Sequence, residues 1–194
     1  MAALREERAR LSRITETSPV GIVEVDEAGI IVYANSTAES ILGLTRDVIT
    51  ARTYNAPQWK ETDLDGGPLS DDKLPFAIVK ATGKPVYDVR HGIERPDGRH
   101  VNLSVNGRPI LDADGQFRGM VATIEDITER EEMQKSLKES EHRYRQLIEN
   151  ANEAIVIFQD EKTKLYNTKA LEITGYSESE YRELTIADLV HPDD

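Results

Sequence analysis

A predicted β-strand leads directly into a predicted helix in residues 119–132, and this junction governs how the rest of the chain can be arranged. The segment reads GMVATIEDITEREE, and its first half is apolar or β-tolerant with no strand breaker between Met120 and Ile124. Thr128, followed three residues later by Glu131, has the spacing of a capping box at a helix start. Only Asp126 and Ile127 separate the two elements. A displacement of the strand is therefore expected to move the base of the helix.

The helix after this junction is predicted to be long, because no Gly or Pro occurs between Thr128 and Gly175. Residues at alternating intervals of four and three form a stripe along it, which is the spacing of a coiled-coil seam. This stripe consists of Met133, Leu137, Ser140, Tyr144, Leu147 and Ala151. Two interpretations stay open: a surface helix packed on its own domain, and a parallel two-helix linker between subunits. Ser140 and Tyr144 weaken the stripe, so any pairing through it is expected to shift easily.

The composition is acidic, with 24 Lys and Arg against 36 Asp and Glu and a net charge of -12. This balance argues against nucleic acid as a partner, since nucleic-acid binding needs a basic face. The chain has no cysteine, which excludes disulfides, thiolate chemistry and cysteine-ligated metals and fits a cytoplasmic location. No apolar run approaches the ~20 residues of a membrane span, and the N-terminus lacks a secretory signal, so we expect no membrane insertion.

Turn residues and hydrophobic periodicity divide residues 18–128 into five strands and several helices. Ser36 and Glu39 have the spacing of a second capping box, at the start of a short helix that Gly43 ends. Strands are predicted over 21–26, 30–34, 86–94, 100–110 and at the junction, and helices over 2–17 and 73–82. This order predicts an α+β fold: a five-stranded antiparallel sheet with helices on one face, flanked by the N-terminal helix and the long linker helix.

The sequence begins to repeat itself after the long helix, as a second copy of a structural unit would. Residues 154–158 resemble residues 21–25, and Asn167 and Gly175 correspond to Asn35 and Gly43. Ser177 and Glu180 are predicted to cap a further helix. The copy stops at 191–194, so we expect only half of a second domain, stabilised by another chain or loosely ordered. The predicted division is an N-terminal helix (1–17), a complete domain (18–128), a linker helix (129–150) and a partial domain (151–194).

Several of these motifs resemble those of PAS domains. The resemblance rests on the hairpin ending in Asn35, on the turns at 96–98 and 112–115, and above all on Asp126-Ile127-Thr128 followed by a charged helix. Residues 144–194 resemble the first half of another PAS domain. The resemblance implies a sensory module that forms a homodimer through its N-terminal and linker helices and signals to an effector, often a histidine kinase or a cyclic-dinucleotide enzyme. No part of this sequence corresponds to that effector. The resemblance also implies that Asp126 and Thr128, near Glu131, tie strand to helix.

Strand alternation assigns the side chains of the predicted sheet to two faces. Tyr87, Val89, His91 and Ile93 are predicted to share the inner face, which makes His91 its one polar group. We weigh two interpretations of His91: a core histidine bonded to a backbone carbonyl or to Tyr54, and a hydrogen-bond donor to a small ligand. The predicted ligand-pocket residues are His91, Tyr54, Trp59, Phe76, Val23, Val25, Val89, Leu103, Val105 and Ile124.

The cofactors that PAS domains use can be tested against the sequence. A flavin of the cysteine-adduct type is excluded because there is no cysteine, and haem is disfavoured because residues 73–82 contain no histidine. No histidine has partners at metal-ligand spacing, and His142 is predicted to be a solvated surface residue rather than a phosphoacceptor. Three hypotheses follow: a non-catalytic sensory module with an unknown small-molecule ligand or none, a ligand-free dimerisation module, and a small-molecule enzyme. The enzyme is least favoured, because the inner face offers only His91.

Overall fold

The computed structural model describes residues 2–160, 162–185 and 188, and the chain divides between Glu131 and Glu132 into two compact units. The first unit contains α1 (Ala2–Glu16), β1 (Gly21–Asp26), β2 (Ile31–Ala34), α2 (Ser36–Leu42), α3 (Arg46–Ile49), α4 (Pro75–Thr82), β3 (Val86–Glu94), β4 (His100–Leu111) and β5 (Phe117–Asp126). Helix α5 (Thr128–Glu149) runs across the division, and the second unit continues with β6 (Val156–Gln159), β7 (Lys162–Tyr166), α6 (Thr168–Thr174) and α7 (Glu178–Tyr181). The predicted end of the repeat at 191–194 lies outside the described residues.

The first unit is built on one antiparallel sheet with the strand order β2-β1-β5-β4-β3, which confirms the predicted α+β fold. Strand β5 lies in the middle, where Ala122 pairs with Val23 of β1 and Ile124 pairs with Val105 of β4. Its alternate side chains Met120, Ala122 and Ile124 are buried, because the pleat points them all toward one face. The strand that enters the junction therefore lies at the centre of the hydrophobic core.

Helix α2 begins at a different residue from the one that the capping pattern predicts. Asn35 is its N-cap, and its side-chain oxygen accepts from the amides of Ala38 (2.9 Å) and Ile22 (2.8 Å). Glu39 accepts instead from the amide of Arg46 at 2.6 Å, so the predicted Ser36–Glu39 capping box is wrong. Asn35 rather than Ser36 is the N-cap because its side-chain amide group caps the helix and bonds to β1 at the same time.

Strand β3 contains a bulge that reverses the face of its first residues. The pairing with β4 shifts between Val86 and Val89, and Asp88 has a left-handed backbone with φ 51. One extra residue in a strand exchanges its two faces on one side of the bulge. The prediction that Tyr87 faces inward is therefore wrong, because its side chain is 62% exposed.

The second unit binds the end of its preceding helix through a buried asparagine, as the first unit does. Asn35 donates to the carbonyl groups of Thr15 (2.7 Å) and Val20 (3.1 Å), and Asn167 donates to those of Ile148 (2.9 Å) and Glu153 (2.9 Å). In each unit one buried asparagine thus ties the end of a helix to a hairpin. The predicted capping box of α7 is also confirmed, because the Ser177 and Glu180 side chains each bond to the other's backbone amide.

Candidate ligand cavity and helix junction

The inner face of the sheet, helix α4 and the segment 54–61 surround a cavity of about 90 Å³. Every predicted pocket residue except Val89 lines this cavity: Val23, Val25, Tyr54, Trp59, Phe76, His91, Leu103, Val105 and Ile124. Val89 pairs with Val105 beside the bulge and is half-buried outside the cavity wall. The pattern of alternating residues therefore locates the cavity, although the role of these residues in binding stays a prediction.

The aromatic wall of the cavity comes from a stretch in which the sequence shows no periodicity. The Tyr54 ring lies 4.5 Å from that of Phe76, and the backbone amide of Tyr54 donates to the carbonyl group of Gly29 at 2.9 Å. Trp59 is buried, and its indole N–H donates to the carbonyl group of Thr53 at 2.9 Å. These bonds hold the irregular segment against the hairpin of β1 and β2 and close that side of the cavity.

His91 is the polar residue that β3 places in the cavity wall. Its side chain is 6% exposed, and its Nδ1 atom is buried without a hydrogen-bond partner among the described residues. The Nδ1 atom therefore does not bond to a carbonyl group or to Tyr54. Burial lowers the pKa of His91 to about 4, because an imidazolium ion would lose its hydration there. The imidazole is consequently neutral near pH 7 and can both donate and accept a hydrogen bond.

Glu61 is a second polar group in the cavity wall, and the sequence patterns did not point to it. Burial, and next the nearby Asp71, raise the pKa of Glu61 to about 8. A carboxyl group with this pKa is mostly protonated near pH 7 and can donate a hydrogen bond. No sequence signal could have found Glu61, because it follows Trp59 in an irregular segment where no periodicity assigns a side chain to a face.

The junction between β5 and α5 is held by hydrogen bonds to the neighbouring strand β4. The hydroxyl group of Thr128 donates to Asp126 at 2.6 Å and accepts from the amide of Asn102 at 2.9 Å. The amide of Ile127 donates to the carbonyl group of Asn102 at 2.8 Å. Ile124, which lines the cavity, stands only two residues before Asp126. The junction is thus continuous, through one strand, with the cavity wall.

The predicted capping box of α5 is wrong, because Glu131 makes a different contact. Its carboxylate group accepts from Arg90 of β3 at 2.8 Å. Arg90 also binds Asp88 at 2.7 Å, and Ser104 donates to Asp88 at 2.8 Å. Hydrogen bonds from Arg90 and then Ser104 lower the pKa of Asp88 to about 2. The first turn of α5 is therefore attached to β3 through a polar cluster that includes the bulge.

The apolar stripe of α5 lies in solvent in the described chain. Met133, Leu137, Tyr144 and Leu147 are 61%, 60%, 65% and 70% exposed, and α5 buries none of its residues. Both interpretations of the helix, a surface helix on its own domain and a two-helix linker between subunits, therefore stay predictions.

Membrane-spanning helices and clusters of metal-binding side chains are both absent from the described part of the chain. Within residues 2–160, 162–185 and 188, none of the helices combines the length and apolar character that crossing a membrane requires. Across the same ranges, no group of three or more His, Asp or Glu side chains is arranged to hold a metal ion.

An antiparallel sheet beside a small cavity, with a helix leaving its central strand, places the first unit in the α+β class with the architecture of a PAS domain. The chain belongs to the PAS family: the model of the PAS fold matches residues 9–127, and a second PAS domain model matches residues 142–194. The resemblance seen in the motifs is thereby confirmed for a complete domain and for a partial second one.

Relatives of known sequence include a sensor protein. The chain is 28% identical over 129 residues to the C4-dicarboxylate transport sensor protein DctS of Rhodobacter capsulatus, a match covering 65% of this chain and 18% of that protein. It is 30% identical over 127 residues to the uncharacterized protein y4lL of Sinorhizobium fredii, covering 65% of this chain and 15% of that one. The chain therefore spans less than a fifth of the length of these curated relatives.

Solved structures support the fold. The PAS domain of a Colwellia psychrerythraea protein matches with a TM-score of 0.50 and 17% identity, covering 65% of this chain and 98% of that chain. An RNA-binding light-oxygen-voltage receptor matches with a TM-score of 0.53 and 21% identity, covering 70% of this chain and 37% of that chain. At these identities the likeness concerns the fold alone.

Proposed function

We propose that this chain is a non-catalytic sensory module of a signal-transduction protein, in which a change in the cavity moves α5. The observation that carries this proposal is the course of β5. Ile124 lines the cavity, and Asp126 and Thr128 bind the start of α5 to Asn102. A packed core transmits small displacements because it has little free volume to absorb them. A ligand in the cavity acts by favouring one arrangement of the strand and helix over another.

The signal leaves the module through α5. Its exposed apolar stripe pairs with that of a second copy of the chain in a homodimer, with α1 as a second contact, and a downstream effector reads the change in pairing. The likeness to a sensor protein over only 18% of its length supports such an effector, with a histidine kinase as the first choice. The proposed location is the cytoplasm.

The ligand is a small molecule, and the size and lining of the cavity limit which one. A volume of about 90 Å³ is far below the ~300 Å³ at which drug-sized pockets begin, which favours a ligand much smaller than haem or flavin. DctS is described by its name as a C4-dicarboxylate sensor, but no Lys or Arg lines this cavity in the described chain. We therefore do not extend that ligand to this chain.

A second candidate function is a ligand-free dimerisation module, and the small size of the cavity favours it. Empty apolar cavities of this order are tolerated in stable proteins. The unpartnered Nδ1 atom of His91 favours the sensory alternative, since buried polar atoms are normally satisfied.

Filling the cavity from β5 tests the relay without any ligand. Ala122 is 2% exposed and lines the cavity, so Ala122→Val adds two carbon atoms inside it. We expect amide hydrogen exchange in the first two turns of α5 to change about tenfold, which corresponds to about 1.4 kcal/mol in the opening of the helix.

The matched control is Val121→Ile, which enlarges the adjacent residue on the outer face of the same strand, where Val121 is 40% exposed. Exchange in α5 is expected to stay unchanged in this variant. Equal exchange rates in both variants and the parent protein would show that the cavity and α5 are not coupled.

A further inference from the structure

Two polar side chains of the cavity wall, His91 and Glu61, lack partners in the part of the chain that the structure describes. The Nδ1 atom of His91 is buried and unbonded, and the carboxyl group of Glu61, a half-buried residue, has no hydrogen-bond partner among the described residues. Leaving a buried polar group unsatisfied costs free energy that a hydrogen bond to a ligand would recover. His91 carries this cost, and Glu61 adds a second polar group without a partner to the same wall, so the cavity is suited to a ligand that bonds to both.

The charge of the cavity favours an uncharged ligand. No Lys or Arg lines it within the described residues, and the rest of the wall is apolar except for the hydroxyl group of Tyr54. The pKa of Tyr54 is raised, first by burial and then by Asp71 and Glu61, so its hydroxyl group also stays neutral. An anion would meet a carboxyl group and no cation. A cationic ligand would require Glu61 to ionise. In a buried site the attraction between the ligand and the carboxylate seldom compensates for the desolvation of both charges.

The volume of the cavity limits the ligand to a few atoms. The cavity holds about 90 Å³, whereas an engineered apolar cavity of ~150 Å³ binds benzene. A ligand of about four or five non-hydrogen atoms is therefore expected, because a larger one would overpack the wall.

Glu61 belongs both to the cavity wall and to the protein surface beside it. This residue lines the cavity and also a surface groove that Thr53, Asn55, Lys60 and Asp71 line. Its carboxyl group thus stands between the interior and solvent. The protonated carboxyl group faces the apolar wall at little cost, whereas its ionised form is disfavoured by burial and by the nearby Asp71.

We propose that the cavity binds a short-chain alcohol, a small uncharged molecule whose hydroxyl group hydrogen-bonds with His91 and Glu61. The hydroxyl group donates to the unprotonated nitrogen of His91 and accepts from the protonated carboxyl group of Glu61. The alkyl chain contacts Val23, Val105 and Ile124. This inference rests on the proposed function, because it names the ligand class of the same cavity, and Ile124 connects that ligand to the junction.

Three probes of equal chain length and different charge test this ligand class on the full chain. 1-Propanol, propylamine and propionate are titrated separately at about pH 6.5, and binding is followed by NMR shifts of the His91 ring and the β5 amides. Propanol alone is expected to give saturable shifts in both sets. At about pH 9.5 only about one Glu61 in thirty keeps its proton, so the affinity for propanol is expected to fall about thirtyfold.

Two variants assign the effect to the named residues. Glu61→Gln keeps the size and a hydrogen-bond donor but does not titrate, so propanol binding is expected to become independent of pH over this range. His91→Phe fills the same space without a polar atom and is expected to weaken binding at least tenfold.

Other outcomes overturn the inference. Tighter binding of propylamine, rising above about pH 8, would assign a cationic ligand class, and tighter binding of propionate an anionic one. An absence of saturable shifts with propanol would exclude the alcohol. If propanol does not bind but Ala122→Val changes hydrogen exchange in α5, the alcohol is excluded and the proposed relay is retained. If propanol binds but hydrogen exchange in α5 does not change, the relay is refuted and the ligand class is retained.

Discussion

Asn35 shows how one side chain can fix the relation between several elements. Its side chain is fully buried and uses both its acceptor and its donor groups, toward β1, α2 and the end of α1. A buried amide is stable only if its hydrogen bonds are made, so the residue specifies one arrangement of these elements. Asn167 is equally buried and makes the equivalent bonds in the second unit.

Replacing Asn35 is expected to be far more costly than replacing its neighbour Ser36. Asn35→Ala leaves the amides of Ile22 and Ala38 without their side-chain acceptor and should lower the free energy of unfolding by about 3 kcal/mol. Ser36→Ala, at the position that the capping pattern favours, should change it by less than about 0.5 kcal/mol because the side chain is exposed. Urea unfolding followed by circular dichroism measures both. Similar losses in the two variants would contradict the assignment of Asn35 as the cap.

Glu61 should make the first domain less stable as the pH rises. Its pKa is raised from 4.5 to about 8 in the folded state, so the unfolded chain releases this proton first. Stability from this group is therefore fully present below about pH 4.5 and is lost progressively up to about pH 8. Because part of the side chain reaches water, we discount the effect to about 2 kcal/mol. Between about pH 4 and about pH 9, the difference in the free energy of unfolding between Glu61→Gln and the parent protein should therefore shift by that amount in favour of the variant.

The control for this pH dependence is Glu7→Gln, the same chemical change on the exposed surface of α1. Urea unfolding across the pH range should give parallel curves for this variant and the parent protein. If the curve of Glu61→Gln is parallel to them as well, the carboxyl group of Glu61 is not desolvated in the folded protein.

The regular elements could be predicted from the sequence, because each has a period that burial imposes. Strands β1 and β5 alternate buried and exposed residues along most of their length, and that pattern located both the sheet and most of the cavity wall. The pattern failed at Asp88, where one inserted residue shifts the register and turns Tyr87 outward. A bulge leaves the residue types unchanged, so its position depends on pairing with β4 that the sequence does not display.

The irregular segment between α3 and α4 could not be predicted for a different reason. Trp59 and Glu61 occupy the cavity wall because backbone bonds such as Tyr54 to Gly29 fold this stretch over the core. Such bonds join residues that are distant in sequence and have no characteristic residue type. The aromatic residues were nevertheless detectable, since large rings in a polar stretch are normally buried. The acidic residue was not, because its burial contradicts the usual behaviour of glutamate.

The long helix α5 begins in the first unit and ends in the second. Within the first unit its start is bound through Thr128 and Glu131, and within the second unit the carbonyl group of Ile148 is bound by Asn167. Between these ends the apolar stripe has no partner in the described chain. Exposed apolar side chains at seam spacing are favourable when a second helix covers them, so the stripe supports the proposed pairing of α5 with a second copy of the chain.

Association through this stripe should be removed by one charge placed in it. Leu137 is 60% exposed, and in a two-helix seam it would be buried against its counterpart. Leu137→Glu loses that burial and sets two like charges together, so the dimer dissociation constant should rise at least about tenfold. Lys135→Gln changes the net charge by the same amount on the opposite side of α5 and should leave the constant unchanged. Sedimentation equilibrium of the three proteins decides the matter: a parent chain that stays monomeric at about 100 µM, or equal constants for both variants, would mean that the stripe is not the dimer contact.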